Sequence, residues 1–511
     1  MIELPWTLPK DLKSLQQLAH DLMSENIRLA EENKLLKRKK FGSSSEKGTN
    51  LPTPLFNEVE SVSDSNPEDQ QEDDKTEVKP HSRGKPVRKP LPENLPRIRR
   101  EFDLSEQDKI CKCGCQMVHI GEETSEQLDI IPARFQVIQN VRLKYACRSC
   151  ESHLKLAEAP AQAIPKSMAS GGLLAYCAIS KYQDALPLYR QEQIFTRLGV
   201  EINRATIASW MIRVGHMLTP IINLMQEHIL SGSVLHMDET SVQVLKGTGK
   251  RPQTKNYMWI IHGGPPGQKA TVFIYDPSRS KLVPERVLAD FRGYLMVDGY
   301  KSYDSVSLKT DIIRLGCWAH VRRKFDDAEK TAIGGKASTQ RQSAATKAKE
   351  LIAKLYELEK DSRDLSDNER LSIREKISKP IVDEFFEYVH SMLSKVPPKS
   401  LLGKAMNYAA SNQHLLIRFL DNACLPLDNN AAENAIRPFA VGRKNWLFSD
   451  TVKGADASAN IYSVIESAKL AGHIPYFYLR MLMEELPKAQ TLADLEALLP
   501  YNVKPMDRVL H

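Results

Sequence analysis

A multidomain α/β architecture, with one α/β core interrupted by a long helical stretch and preceded by small N-terminal modules, is predicted by three features. Short apolar runs of β character crowd between residues 234 and 318, and a helical pattern then occupies about 325 to 423. Ahead of both lie a leucine heptad and a cysteine cluster. At 511 residues the chain exceeds one hydrophobic core, and the length suggests roughly three domains. The net charge of +7 permits nucleic-acid binding without demanding it, so the distribution of charge carries more information than the total. No apolar run approaches the roughly 18 residues of a membrane span. Nor does the N-terminus carry a cationic start leading into an apolar core, so the expected compartment is the cytoplasm, without membrane contact.

Residues 1–47 read as a coiled-coil dimerisation helix. Leu8, Leu15, Leu22, Leu29 and Leu36 recur every seven residues, and the matching a positions include Asn26 and Asn33, which favour a defined parallel register. A lone amphipathic helix packed on its own domain gives the same pattern. Residues 48–100 read as a disordered charged linker: eight acidic residues and no basic ones lie between Asn57 and Asp74, and a Pro- and Arg-rich stretch follows. Within it Arg83-Gly84-Lys85-Pro86 resembles the core of a minor-groove AT-hook, though a solvated tether accounts for it as well.

Residues 101–160 read as a zinc-binding domain. Five of the eight cysteines fall in 111–150, and without an export signal such crowding points to metal rather than disulfides. Cys147-x-x-Cys150 has knuckle spacing, and Cys111-x-Cys113-Gly114-Cys115 is a compressed counterpart. Cys111, Cys113, Cys147 and Cys150 are the assigned Zn²⁺ ligands, with Cys115 an alternative in the first pair. Between the pairs, 125–132 and 135–144 read as β-ribbon. Residues 161–230 turn helical, with Gly199-Val200 as a turn before a helix beginning at Asn203-Arg204. This suits a helix-turn-helix DNA reader, or a generic helical hairpin.

From 231 to 325 the order is strand, strand, strand, helix, strand, strand: 234–238, 257–262, 270–275, 284–289, 294–298 and 312–318. That is the order of an RNase H-like core, in which the first and fourth strands are neighbours. Asp238 ends the first run and Asp298 the fourth, so the two would lie side by side. Residues 326–424 form a helical insertion. Residues 425–450 return to the core with Glu433, and 451–511 form a C-terminal helical region that buttresses it. Three carboxylates from two strands and a helix can hold a pair of Mg²⁺ ions for phosphodiester chemistry. Each also has a structural explanation: Asp298-Gly299 is a turn signal, and Asn430-x-x-Glu433 has capping-box spacing. Glu239 should face away from Asp238 on a strand.

Several motifs in a single order are similar to those of the IS66-family transposases. They are Asp298-Gly299-Tyr300, the segment Cys317 to Phe325 (CWAHVRRKF), Asp428-Asn429-Asn430 with Glu433-Asn434 and Ile436-Arg437-Pro438, and Gly442 to Phe448 (GRKNWLF). The resemblance extends over almost the whole chain, including Lys40-Phe41-Gly42 and the closing Leu499-Pro500-Tyr501-Asn502; the compressed first knuckle departs from the family's commoner Cys-x-x-Cys-Gly. It implies a DDE transposase of a bacterial insertion sequence that binds terminal inverted repeats. By motif match Asp238, Asp298 and Glu433 are the triad, using Mg²⁺ or Mn²⁺ for hydrolysis and then for strand transfer by the freed 3′-OH.

The expected partners are transposon-end DNA and target DNA, a second copy of the chain or a higher oligomer, and accessory proteins of the same element. Arg322, Arg323, Arg437, Arg443, Lys444 and Arg204 are the candidate DNA contacts, for phosphate positioning rather than base readout. His320 is expected at a strand end, in a structural or phosphate role. The alternatives are an RNase H-like nuclease or resolvase that never joins, and a zinc-containing DNA-binding regulator.

Overall fold

A computed structural model describes residues 11–41, 134–146, 154–247, 255–309, 311–331 and 335–505, with scattered positions between 97 and 127. The chain divides into two compact units, Met1–Glu58 with Asn140–His511, and Val59–Gln139. In the second, Arg99 and Glu122 form an exposed ion pair of 2.6 Å. The expected zinc ligands Cys111, Cys113, Cys147 and Cys150, and nearly all of the expected linker, lie outside the described residues.

Helix α1 (Leu12–Phe41) is continuous. It docks on its own chain through Glu31, whose Oε2 accepts from the Leu401 amide at 2.8 Å, and through Glu32, paired with Lys404 at 2.8 Å. Leu15, Leu22, Leu29 and Leu36 stay between 36% and 63% exposed, so the heptad face is not the docked one. Strands β1 (Lys144–Ala146) and β2 (Leu154–Leu156) form a short antiparallel hairpin. The expected ribbon over 135–144 is corrected here: pairing begins only at Lys144. Upstream, Val137 and Val141 are exposed, and among the described residues no strand lies opposite to give their alternation a partner.

Four helices follow: α2 (Gly171–Tyr182), α3 (Leu188–Arg197), α4 (Arg204–Met217) and α5 (Thr219–Leu230). Asn203 caps α4 by accepting from the Thr206 amide, and Gly199 makes the preceding turn at φ +84°. Strands β3 (Val234–Lys246), β4 (Lys255–Gly263), β5 (Ala270–Asp276), β6 (Gly293–Val297) and β7 (Ile312–Gly316) form a mixed sheet in the order β5-β4-β3-β6-β7. β3, β4 and β5 are antiparallel, whereas β3, β6 and β7 run parallel. Helix α6 (Leu282–Val287) precedes β6, and α7 (Asp304–Lys309) precedes β7. β3 is longer than its expected run, because alternating burial carries it past Asp238 to Lys246. The last run is shorter: Trp318 opens a helix instead of ending a strand.

That helix, α8 (Trp318–Thr331), leads into α9 (Gly335–Asp361), α10 (Asp367–Ile373), α11 (Lys379–Leu393), α12 (Leu401–Ser411) and α13 (Gln413–Leu416). Together they share one core with the sheet, running from Met296 and Leu315 through Trp318 to Phe385, Phe386 and Phe419. The fully buried Arg374 ties the insertion to the returning chain, donating to the carbonyls of Phe419, Asn422 and Leu425 and to Glu359. Helix α14 (Asn430–Trp446) then crosses the sheet, β8 (Ser449–Thr451) pairs with the far end of β3, and α15 (Val452–Leu470) covers β5. Ser467 and Ser463 of α15 bond the Thr271 and Phe273 amides, giving partners to an edge strand. Helices α16 (Pro475–Glu485) and α17 (Leu492–Ala497) complete the C-terminal region.

One residue joins these layers. Asn429, with no exposed surface, donates from Nδ2 to the Met237 carbonyl at 3.0 Å and from its backbone to Cys317 Sγ at 3.2 Å. Since Nδ2 faces an obligate acceptor, Oδ1 faces His236, and Nδ1 of that ring must donate to it, at 3.0 Å. Asn429→Ala should therefore cost about 2–4 kcal/mol in urea unfolding, because it orphans a buried donor and a buried acceptor.

Burial, only partly opposed by Asn429, lowers His236 to about 4, and burial beside His236 lowers His262 to about 3. Between pH 6.5 and 4 the unfolded chain thus binds protons that the folded chain refuses. Stability should fall as pH drops through this window, by about 2 kcal/mol per histidine between pH 7 and 5, with the urea midpoint tracking the loss.

Candidate active site

Asp238 lies within β3 and Asp298 one residue beyond β6. The parallel register pairs His236 with Met296; two residues further along, Asp238 and Asp298 stand opposite on the same face. Glu433 lies in the first turn of α14, delivered by the Asn429 anchor. The capping box expected of Asn430 and Glu433 is absent: Asn430 is already inside the helix with its side-chain amide on Asp428 Oδ2 at 2.6 Å, and the Glu433 amide is taken by the Asn429 carbonyl at 3.1 Å. Asn429 is committed to β3, which leaves the Glu433 carboxylate for other partners.

Those partners come from α8. Arg323 Nη2 pairs with Glu433 Oε2 at 2.7 Å, and His320 Nδ1 stands 3.6 Å from Oε1. Both Glu433 Oε1 and His320 Nδ1 are buried without a hydrogen-bond partner. The strand-end location expected for His320 is corrected: the β run stops at Gly316, and His320 occupies the first turn of a helix, one turn before Arg323. Cys317, His320 and Glu433 bring ligand atoms within 4.8 Å of one another. Burial pushes the Cys317 thiol up to about 12, although it accepts the Asn429 amide.

Asp238 is held far above the ordinary carboxylate range, first by burial and then by the charges of Glu239, Glu433 and Asp298. A low-dielectric site crowded with like charge disfavours ionisation; a divalent cation would reverse that balance. The donor set of Asp238, Asp298 and the unpartnered Oε1 of Glu433 is all oxygen, which fits a hard cation such as Mg²⁺ or Mn²⁺.

Of the candidate DNA contacts, Arg323 is spent on Glu433. Arg443 donates to Thr240 Oγ1 at 2.9 Å and to the Ser241 carbonyl, tying α14 to β3. Arg322 stacks 5.6 Å over Tyr356, while Arg437 and Lys444 are exposed on α14. Arg204 is exposed at the start of α4, 5.9 Å over the Tyr189 ring. Lys324, 4.5 Å over Tyr408, is a further cation, and the charge of Asp298 acts on it.

Sequence reasoning set Glu239 aside as turned from Asp238, and its side chain does engage other groups. It pairs with Arg279 at 2.6 Å and accepts from Tyr303 Oη at 2.6 Å. Its charge still acts on Asp238. No local motif marks Arg279, which reaches the site only because β5 ends beside β4.

Residues 166–457 match the family model described as Transposase IS66 family, and 108–151 that of the zinc-finger binding domain of transposase IS66. Residues 28–100 match Transposase C of IS166 homeodomain, and 463–501 the IS66 C-terminal element. The chain is similar to the uncharacterized protein y4qI of Sinorhizobium fredii, 34% identical over 440 residues, 82% of this chain and 79% of the relative. It is also similar to y4jD of the same organism, 33% identical over 427 residues and 81% of each chain. With matches running in one order from the N-terminal helix through the carboxylate site to the C-terminal helices, the chain belongs to the IS66 transposase family.

Proposed function

We propose that the chain is the DDE transposase of a bacterial insertion sequence, acting from the cytoplasm on terminal inverted repeats and target DNA, with Asp238, Asp298 and Glu433 as its triad. The observation that carries this is that Asp238 and Asp298 end up side by side on adjacent parallel strands with Glu433 on the helix beside them, where burial first and then the charges of Glu239, Glu433 and Asp298 hold Asp238 far above the ordinary carboxylate range. The sheet order, three antiparallel strands followed by two parallel ones, supports an RNase H-like core.

The residues divide the work. Asp238, Asp298 and Oε1 of Glu433 would hold Mg²⁺ or Mn²⁺. When bound, the cation supplies Lewis-acid charge at the phosphodiester and lowers the cost of ionising the attacking oxygen. Arg323 and His320 orient Glu433, and Arg443 braces its helix against β3. In the first step water attacks phosphorus and the P–O3′ bond breaks, leaving a 3′-OH on the element. In the second that hydroxyl attacks a target phosphodiester and the target's 3′ oxygen leaves as a hydroxyl.

Arg322, Arg437, Lys444 and Arg204 are placed for backbone phosphates, whose binding is sequence-independent. Cys111, Cys113, Cys147 and Cys150 would close a Zn²⁺ site that stabilises its own small domain. The open heptad face of α1 suits pairing of two copies, which transposition needs in order to hold two ends.

Asp238→Asn should raise the melting temperature at neutral pH without divalent ions by about 2–4 °C, since it removes a carboxyl group that the folded site disfavours in its ionised form. The same variant should abolish the further rise that Mn²⁺ gives the parent protein. A duplex carrying the element's end, incubated with Mg²⁺ or Mn²⁺, should yield nicked and then joined products. Asp298→Asn should bind that duplex and yield neither. Cleavage without joining in the parent protein would make it a nuclease; binding alone would make it a regulator.

A further inference from the structure

We propose that Arg279 is a further DNA-phosphate contact of the reacting site, with Glu239 and Tyr300 as the residues that position it. The proposal rests on the transposase reading of the three carboxylates. Glu239 is 3% exposed in its side chain, while its partner Arg279 is 40% exposed. Nε and Nη2 of Arg279 both donate to Glu239 Oε1, at 2.8 and 2.6 Å, and the other carboxylate oxygen is satisfied by Tyr303. Nη1 donates to none of the described residues.

The guanidinium is also fixed from a second direction. It lies 3.9 Å over the Tyr300 ring, and the Tyr300 and Ser302 hydroxyls both donate to the Arg279 backbone carbonyl. Tyr300 is in turn tied to the candidate triad, since its amide donates to Asp298 Oδ1 at 2.9 Å. The charge of Asp298 acts on Arg279 directly. A surface arginine that serves only to neutralise a buried carboxylate needs neither a stacking platform nor a pinned carbonyl.

What these contacts achieve is a guanidinium held rigid beside the carboxylates, with one nitrogen and much of its surface open to solvent. Such pre-organisation reduces the side-chain entropy lost on binding, and arginine's planar fork suits phosphate oxygens. Arg323 is paired with Glu433 and Arg443 with β3, whereas Arg279 combines an open nitrogen with a fixed position.

The test uses the full chain and fluorescent duplexes, one carrying the element's end and one of random sequence, with affinity measured by anisotropy in Ca²⁺ over a range of salt concentrations. Arg279→Gln should weaken binding to both by roughly 3- to 10-fold and flatten the slope of log affinity against log salt by about one. The double variant Glu239→Gln with Arg279→Gln removes any unpaired buried charge, so it carries the test if the single variant folds poorly, and it should stay equally weak. Glu239→Gln alone should keep the salt slope while slowing cleavage in Mg²⁺. Recovery of parental affinity and slope in the double variant, or an unchanged slope in Arg279→Gln, would overturn the proposal and leave Arg279 as the neutraliser of Glu239. Failure of the parent protein to prefer or cut the end duplex would instead sink the transposase reading, and the random duplex would still decide whether Arg279 touches phosphate.

Discussion

The site depends on the three bonds of Asn429. Its side chain spans two consecutive residues of β3, accepting from His236 and donating to Met237, while its amide donates to Cys317 at the end of the β7 segment. Those are the positions just before Asp238 on one strand and just before the first residue of the helix that carries His320. The next residue starts the helix bearing Glu433. A single buried amide thus sets the spacing between elements almost 200 residues apart in sequence, and it does so where no water can substitute for a missing partner. The unusual neutrality of His236 is part of the same arrangement, because a charged imidazole there would be buried beside the sheet core.

Around that anchor, several carboxylates carry matched cations. Glu359 is matched by Arg370 and Arg374, Asp326 by Lys330 and Lys349, and Glu239 by Arg279 and Tyr303. Among the described residues Asp238 has no ion-pair partner; it accepts the neighbouring amide at 2.8 Å, and burial together with the charges of Glu239, Glu433 and Asp298 presses upon it. Concentrated like charge with a buried unpartnered oxygen on Glu433 supports the proposal that this site takes a cation. The hydrogen bonds and ion pairs of Arg323, Arg279 and Arg443 keep the surrounding elements from relaxing apart under that repulsion.

The helical insertion is less separable than a hundred-residue interruption suggests. Trp318 sits among Phe385, Phe386 and Phe419, and its indole donates to the Leu416 carbonyl, so the face of the sheet beside β6 and β7 is covered by the insertion itself. The other side of the sheet is closed at β5 by serines of α15 and braced by α4, whose Gly215 approaches Ala457 so closely that a Cβ would stand 2.4 Å from its Cα. The helical region before the sheet and the helices after it are therefore one packed layer.

The sequence by itself determined the order and type of the elements. Short apolar runs located five strands, a helical pattern located the insertion, and Asp238 and Asp298 at the ends of runs one and four placed two acidic groups on neighbouring strands. These are local signals, carried by residues a few positions apart. It could not determine who pairs with whom. Asn430-x-x-Glu433 read as a cap, but the Asn430 side chain was taken by Asp428 and the Glu433 carboxylate by Arg323. His320 read as strand because the apolar run continued through Trp318, whose burial turned out to be helical. Arg279, in a loop without a motif, was invisible until β5 lay down beside β4. Hydrogen bonds and ion pairs form between groups that folding brings within about 3 Å, and no spacing in the chain encodes that distance when the partners lie 40 to 200 residues apart.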